Sequence, residues 1–127
     1  MTRNTFGKAE RLKSRKSIDQ LFKEGQHFNM GMIRVFYKTV EQTGIRAGVG
    51  VSTRVFKKAV DRNRIKRQLR ESYRLQKQIL VLPETIEKGL DLFFIYTAQD
   101  LTDFQELYQA VEKALQQINT NLGQSAI

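Results

Sequence analysis

The sequence has no cysteine, one histidine and one proline among its 127 residues. Without cysteine, disulfide frameworks, thiolate zinc sites and thiol nucleophiles are excluded. The single histidine, His27, excludes any mechanism that needs two imidazoles. No apolar run approaches the roughly 18 residues of a membrane span, and the basic N-terminal stretch lacks the apolar centre of a secretory signal. We therefore expect a cytoplasmic protein with no membrane partner.

Positive charge is abundant and concentrated. Lysine and arginine total 22 against 13 acidic residues, a formal net charge of +9. Residues 54–78 alone carry ten basic and two acidic side chains, whereas everything outside 1–25 and 54–78 is net negative. A localised basic stripe is typical of a phosphate-binding surface. The alternative is a solvated helix face, but such faces usually mix both signs.

The length and the absence of linker-like stretches predict one domain over residues 1–127, with 1–13 and 120–127 irregular. Hydrophobic periodicity and capping signals predict the order helix, strand, strand, helix, strand, helix. This order predicts an α+β fold, a two-layer α/β sandwich in which helices pack on a small central sheet. The predicted segments are residues 14–25, 28–40, 45–52, 57–80, 90–97 and 102–119.

The long helix at 57–80 combines an apolar stripe with a cationic sector about 140° wide. The stripe contains Ile65, Leu69, Tyr73, Gln76 and Leu80, and the sector contains Arg62, Asn63, Lys66, Arg67, Arg70, Arg74 and Lys77. Like charges at i, i+4 cost a few tenths of a kcal/mol each. Their repetition indicates that a partner supplies the opposite charge. Arg62 and Lys66 adjoin the stripe, so we expect them nearest the sheet.

No catalytic constellation is present. Asp91, Asp100 and Asp103 flank the last strand and would offer oxygen ligands to Mg²⁺ if they converged. Capping and helix-dipole roles explain Asp100 and Asp103 more simply, and Thr102 with Gln105 forms a capping-box pattern. We predict no catalytic side chain, no bound cofactor and no metal site in this chain.

The segment 28–40 mixes aromatic and cationic side chains. Read as one strand, it places Phe28, Met32, Arg34, Phe36 and Lys38 on one face. Such a face either stacks unpaired bases or is an ordinary half-buried sheet surface. The next strand has a bare face at Gly48 and Gly50, which indicates either close helix packing, the more frequent explanation, or room for a ligand backbone.

At residues 60–74 the sequence, with RNRIKR at 62–67, resembles the signature helix of the bacterial ribonuclease P protein family. Residues 11–25 and the Gly-Val-Gly-Val-Ser segment at 48–52 are also similar to that family. The resemblance implies a left-handed βαβ crossover in a fold like domain 2 of ribosomal protein S5. It implies a small basic subunit that assists a catalytic RNA in the Mg²⁺-dependent removal of the 5′ leader from precursor tRNA.

The resemblance also implies roles for individual residues. The catalytic RNA would be bound by Arg62, Asn63, Arg64, Lys66, Arg67, Arg70 and Arg74. The leader would lie in a cleft lined by Ile18, Phe22, Arg34 and Phe36. The family often has Phe at position 18 and Tyr at 36, so a stacking ring and a hydroxyl are absent here. We expect Arg62 and Lys66 to bridge catalytic RNA and substrate.

Two other functions fit parts of the pattern. A ribosomal or other structural RNA-binding protein would share the basic helix but would not distinguish precursor from mature tRNA. A DNA-binding helix in the major groove fits less well, because the cationic sector is too uniform for base readout. The sequence leaves the oligomeric state open.

Overall fold

The computed structural model describes residues 7, 10–81 and 89–125. Its elements are α1 (Arg15–Glu24), β1 (Gln26–Met30), β2 (Ile33–Val40), β3 (Ile45–Val51), α2 (Ala59–Gln76), β4 (Gly89–Tyr96) and α3 (Phe104–Ser125). The strands form one sheet in the order β1-β2-β4-β3. β1–β2 and β2–β4 are antiparallel, and β3–β4 is parallel. The α+β prediction is confirmed, and β3–α2–β4 is a parallel crossover unit whose left-handed sense stays a prediction.

The two faces of the sheet are covered unequally. Alternation along β2 and β4 buries Val35 and Phe94 against α2 and α3 in the main core. On the opposite face, α1 contacts β2 and β4 and leaves the neighbouring surface of the sheet exposed. Ser14 starts α1 by accepting a hydrogen bond from the Ser17 backbone N–H at 3.3 Å, and Gly25 ends it. The sequence offered Ser14 or Ser17 as the cap at the start and Gly25 at the end, and the structure uses Ser14 and Gly25.

The segment predicted as one strand is a hairpin of two strands. Gly31, with φ of 58°, and Met32 form a two-residue connection between β1 and β2. Glycine at the first loop position suits a type II′ turn, which matches the twist of the strands. Because Phe28 pairs with Val35, its side chain lies on the core face, and Met32 also packs against the core. The prediction that both residues share a face with Arg34 is therefore wrong.

The predicted apolar stripe of α2 and of the 3₁₀ turn that follows it is confirmed. All five of its residues are buried, and Leu69 is completely inaccessible. Gln76 joins α2 to α3, since its Nε2 donates to the carbonyl oxygens of Ser72 and Tyr108 at 3.1 and 3.0 Å. This stripe fixes which side of α2 points away from the core.

The ends of the chain are more regular than predicted. Leu12 is buried and its N–H donates to the Ala47 carbonyl at 2.9 Å. Asp103 caps α3 by accepting from the Glu106 N–H at 2.8 Å, so the predicted Thr102–Gln105 capping box is wrong by one position. α3 continues to Ser125 although residues 120–127 were expected to be irregular. Residues 1–6, 8–9 and 126–127 of the predicted irregular ends lie outside the described residues, and the single domain stays a prediction.

Candidate RNA-binding surface

The side of α2 away from the core carries a run of cationic side chains. Asn63, Arg64, Arg67 and Arg70 are exposed and Lys66 is half-buried. Among the described residues, no carboxylate forms an ion pair with Arg64, Lys66, Arg67 or Arg70. The resemblance assigns RNA binding to six residues between positions 62 and 70. We call them the cationic surface: Arg62, Asn63, Arg64, Lys66, Arg67 and Arg70.

Arg62 differs from its neighbours because its guanidinium binds backbone carbonyl oxygens of its own chain. Its Nη1 donates to the carbonyl oxygens of Phe56 and Lys57, both at 2.8 Å. Lys58, at the N-cap of α2, makes no side-chain capping bond. Arg62 therefore fixes the segment that enters α2, and part of its hydrogen-bonding capacity is used within the protein.

The C-terminal end of the predicted cationic sector is neutralised. Arg74 forms a bidentate ion pair with Glu71, and Lys77 pairs with Glu10. The hydrogen bond from Arg74 lowers the pKa of Glu71. Burial alone would raise the pKa of Glu10, but the hydrogen bonds from Lys77 and the Gly7 N–H lower it overall. The unpaired part of the surface therefore ends at Arg70, two helical turns before Lys77, where the predicted sector ends.

The exposed part of the sheet, on the face opposite the core, carries a row of rings. The register aligns His27, Phe36 and Phe93 across β1, β2 and β4. Phe22 of α1 lies on this row, with ring centroids 4.8 Å from Phe36 and 5.2 Å from Phe93. We call His27, Phe36 and Phe93 the aromatic row. Together with Phe22 it gives this face of the sheet a partly exposed aromatic surface.

The neighbouring row of the same face is more open. Arg34 is exposed, and its Nε donates to Oδ1 of Asn29 at 2.9 Å. Ile95 and Gly50 follow in register on β4 and β3. This row and the aromatic row form what we call the open groove, with α1 along one side. Its floor is apolar, and Arg34 supplies a positive charge.

Gly48 and Gly50 give room to a ring. A Cβ atom on Gly48 would lie 2.8 Å from ring carbons of Phe93, and one on Gly50 would lie 2.9 Å away. The bare face of β3 is therefore filled by a ring of the neighbouring strand β4, whereas the sequence predicted close packing of a helix or room for a ligand backbone.

A small cavity joins the cationic surface to the open groove. It has a volume of about 200 Å³, and its lining includes Lys13, Ile18, Gly48, Arg70 and Phe93. The two groups of predicted site residues thus meet at Arg70. Neither Arg62 nor Lys66, the two residues predicted to bridge the RNA partners, lines this cavity. The guanidinium of Arg62 binds the segment before α2 instead.

The acidic residues do not assemble into a metal site. Asp91 is buried and forms a bidentate pair with Arg46, with N–O distances of 3.0 and 2.9 Å. It lies near the start of β4, whereas Asp100 and Asp103 follow the end of that strand. Among the described residues, no three His, Asp or Glu side chains group so as to hold a metal ion. Nor is any helix in the described ranges long and apolar enough to cross a membrane.

Three residues of the groove were missed in the sequence. Phe93 was not distinguished from its neighbours in the predicted strand 90–97, although residues 93 and 95 are half-buried and alternate with the fully buried residues 92, 94 and 96. His27 and Asn29 were missed because the hairpin was not recognised. The period of two within β4 was the signal that would have identified Phe93.

Comparison with known proteins agrees with the geometry. The family model described as Ribonuclease P matches residues 6–119. The ribonuclease P protein component of Porphyromonas gingivalis is 36% identical over 130 residues, covering 97% of this chain and 94% of the relative. That of a Geobacter species is 40% identical over 116 residues, covering 84% and 86%.

Solved structures give the same result for the fold. The ribonuclease P protein from Thermotoga maritima matches with a TM-score of 0.69 at 25% identity, covering 85% of this chain and 96% of that one. The Staphylococcus aureus ribonuclease P protein matches with a TM-score of 0.67 at 23% identity, covering 87% and 95%. The latter likeness concerns the fold alone.

Proposed function

This chain belongs to the bacterial ribonuclease P protein family, and from that premise we propose how its surface is divided between two RNA partners. It is a protein subunit of the ribonuclease P holoenzyme, an endoribonuclease, and takes part in tRNA processing. The cationic surface, together with Arg74, binds the catalytic RNA subunit. The open groove, with Ile18, Phe22, Arg34 and Phe36, holds the single-stranded 5′ leader of precursor tRNA.

The lack of acidic partners supports the assignment of α2 to the RNA subunit. Arginine binds phosphate oxygens bidentately and lysine acts as a point charge. Side chains not already paired with carboxylates gain most from phosphates, because each neutralised phosphate releases condensed counterions. Arg64, Lys66, Arg67 and Arg70 therefore contribute more than Arg74, which is paired with Glu71. The apolar stripe of α2 keeps these cations on the outside of the protein.

The shape and composition of the open groove support the assignment to the leader. Unpaired bases stack on aromatic side chains, and a nearby arginine neutralises their phosphates. Phe36 still offers a stacking ring without the hydroxyl that is frequent in the family. Ile18 provides an apolar wall instead of a second ring. The leader is thus held mainly by stacking and charge, with little reading of base sequence.

The chemistry of cleavage resides in the RNA. Three of the described carboxylates, Asp91, Glu71 and Glu10, are paired with cations of this chain, and a lone histidine offers no acid–base pair. We propose that the RNA subunit holds the Mg²⁺ ions of the reaction and that this chain carries no cofactor. Its contribution is to lower the repulsion between two polyanions and to position the leader. We place this reaction in the cytoplasm, where tRNA is transcribed in bacteria.

The junction at Arg70 is the observation that carries the proposal, because it makes one continuous surface from the RNA-subunit side to the leader side. The test is a reconstituted holoenzyme assayed at low Mg²⁺ with Arg67→Ala and Phe36→Ala. Arg67→Ala should weaken assembly with the RNA subunit and leave the response to leader length intact. Phe36→Ala should weaken binding of leader-bearing substrate and leave assembly unchanged.

Two outcomes would refute this division of the surface. One is an equal effect of the two substitutions on assembly. The other is the absence of any stimulation of leader removal by the native protein at low Mg²⁺. Exposed Gln116 on α3, on the other side of the sheet, provides the matched control. Gln116→Ala should change neither quantity.

A further inference from the structure

We propose that His27, on the edge strand β1, forms an additional stacking position for one nucleotide of a single-stranded RNA that lies in the open groove. The inference rests on the leader-binding role proposed above and extends it beyond Ile18, Phe22, Arg34 and Phe36. It assigns a function to the only histidine of the chain.

The geometry of the aromatic row carries this inference. His27 pairs with Phe36 across β1 and β2, and its ring centroid lies 5.3 Å from that of Phe36 at an interplanar angle of 32°. His27 is exposed, whereas Phe36 is half-buried beneath Phe22. The imidazole therefore continues the row of rings past the region that α1 covers, out to the edge of the sheet.

Neighbouring contacts on the same strand point to the same use. Two residues along β1, Asn29 accepts the hydrogen bond from Arg34 Nε. This bond uses one of the five N–H donors of the guanidinium, and the four on its terminal nitrogens form no hydrogen bond with a described residue. A charged donor for phosphate thus lies in the row next to the ring of His27. A ring for a base beside a cation for its phosphate is the combination with which single-stranded RNA is bound without sequence readout.

A purely structural role for His27 is the competing explanation. Cross-strand ring pairs stabilise hairpins by roughly 0.2–1 kcal/mol, and the His27–Phe36 contact would do so without any ligand. The two roles differ in one measurable respect. A structural role affects all substrates alike, whereas a stacking role matters only for leaders long enough to reach β1.

The experiment measures the affinity of the reconstituted holoenzyme for non-cleavable precursor tRNAs whose leaders are lengthened by single nucleotides. We compare the native protein with His27→Ala, His27→Phe and the control Gln116→Ala. We expect His27→Ala to remove one step of the affinity-against-length curve, a loss of about fivefold or more. His27→Phe should retain the step, and the shortest leaders should bind all four proteins equally.

Three results would overturn the inference: His27→Ala lowers affinity at every leader length, His27→Ala changes nothing, or His27→Phe fails as His27→Ala does. Phe36→Ala, measured in the same series, separates this inference from the proposed function. If Phe36→Ala loses the leader dependence and His27→Ala keeps it, only the role of His27 is wrong. If both keep it, the assignment of the open groove to the leader is wrong as well. His27→Gln and thermal melting of each variant identify any loss of affinity that comes from a weakened hairpin.

Discussion

Arg70 and Arg74 lie one helical turn apart on α2, and replacing each by alanine tests whether pairing within the protein decides which cations bind RNA. Arg70 is exposed and forms no ion pair with a described carboxylate, whereas Arg74 is held by Glu71. Each phosphate contact contributes about 0.7–0.9 to the slope of log affinity against log salt. Arg70→Ala should reduce the slope by about that amount, and Arg74→Ala should reduce it by clearly less.

The number of cations on α2 without carboxylate partners sets the expected salt dependence of RNA binding. Five cations of α2 lack carboxylate partners among the described residues. Arg62 uses part of its donors on the carbonyl oxygens of Phe56 and Lys57, which leaves four for phosphates: Arg64, Lys66, Arg67 and Arg70. Four contacts predict a slope of about −3, so a fourfold rise in salt should lower affinity about 60-fold through α2 alone. Over the same fourfold rise in salt, a variant that lacks one contact should lose about threefold less affinity than the native protein.

The assay is equilibrium binding of each protein variant to the ribonuclease P RNA over a range of monovalent salt at fixed Mg²⁺. Thermal melting of the free proteins checks that both variants fold. Equal reductions of the slope for Arg70→Ala and Arg74→Ala would refute the argument from pairing. No reduction for either would show that α2 does not neutralise RNA phosphates.

Three further predictions concern stability. Arg62→Ala should lower the free energy of unfolding by about 1–2 kcal/mol because two backbone carbonyls lose a charged donor, whereas exposed Arg67→Ala should stay within about 0.5 kcal/mol; equal denaturant midpoints would contradict the role given to Arg62. Leu69→Ala should cost about 2–5 kcal/mol, since Leu69 is completely buried between α2 and the sheet, and a cost no larger than that of Arg67→Ala would show that the stripe is not packed. The pKa of Glu10 is lowered from its ordinary value of 4.5, so its pairing with Lys77 stabilises the fold above that pH and is lost as the pH falls through the lowered value. In Glu10→Gln, the free energy of unfolding should therefore depend less on pH below pH 4.5. An unchanged pH dependence would contradict the pairing.

Much of the fold follows from local sequence signals. The periodicity of α2 identified each residue of its buried stripe, because a helix that packs on a sheet needs an apolar residue every three to four positions. Ser14 and Gly25 marked the ends of α1 for similar local reasons. The hairpin was not predictable in this way, since Gly31-Met32 lacks the Asn-Gly or Asp-Gly pair that usually announces such a turn. Missing it reversed the face assigned to Phe28.

The candidate site was likewise predictable only where it depends on one continuous segment of the sequence. Spacing and charge alone indicated the cationic helix, because both are properties of one continuous segment. Ion pairs between distant segments could not be read in this way: Lys77 is neutralised by Glu10, which lies 67 residues away in sequence. The open groove likewise depends on strand order, which brings Phe36 of β2 next to Phe93 of β4. The meeting of groove and helix at Arg70 needs the packing of α2 beside β3.

Site-specific crosslinking in the assembled holoenzyme tests the central claim most directly. Precursor tRNA carrying a photoreactive nucleotide at successive leader positions is crosslinked, and the modified peptides are identified by mass spectrometry. We predict leader crosslinks to α1, β1 and β2, at the peptides that contain Phe22, His27 and Phe36, and crosslinks from the photoreactive RNA subunit to residues 62–70 of α2. Leader crosslinks confined to α2, or RNA-subunit crosslinks confined to the open groove, would contradict the account.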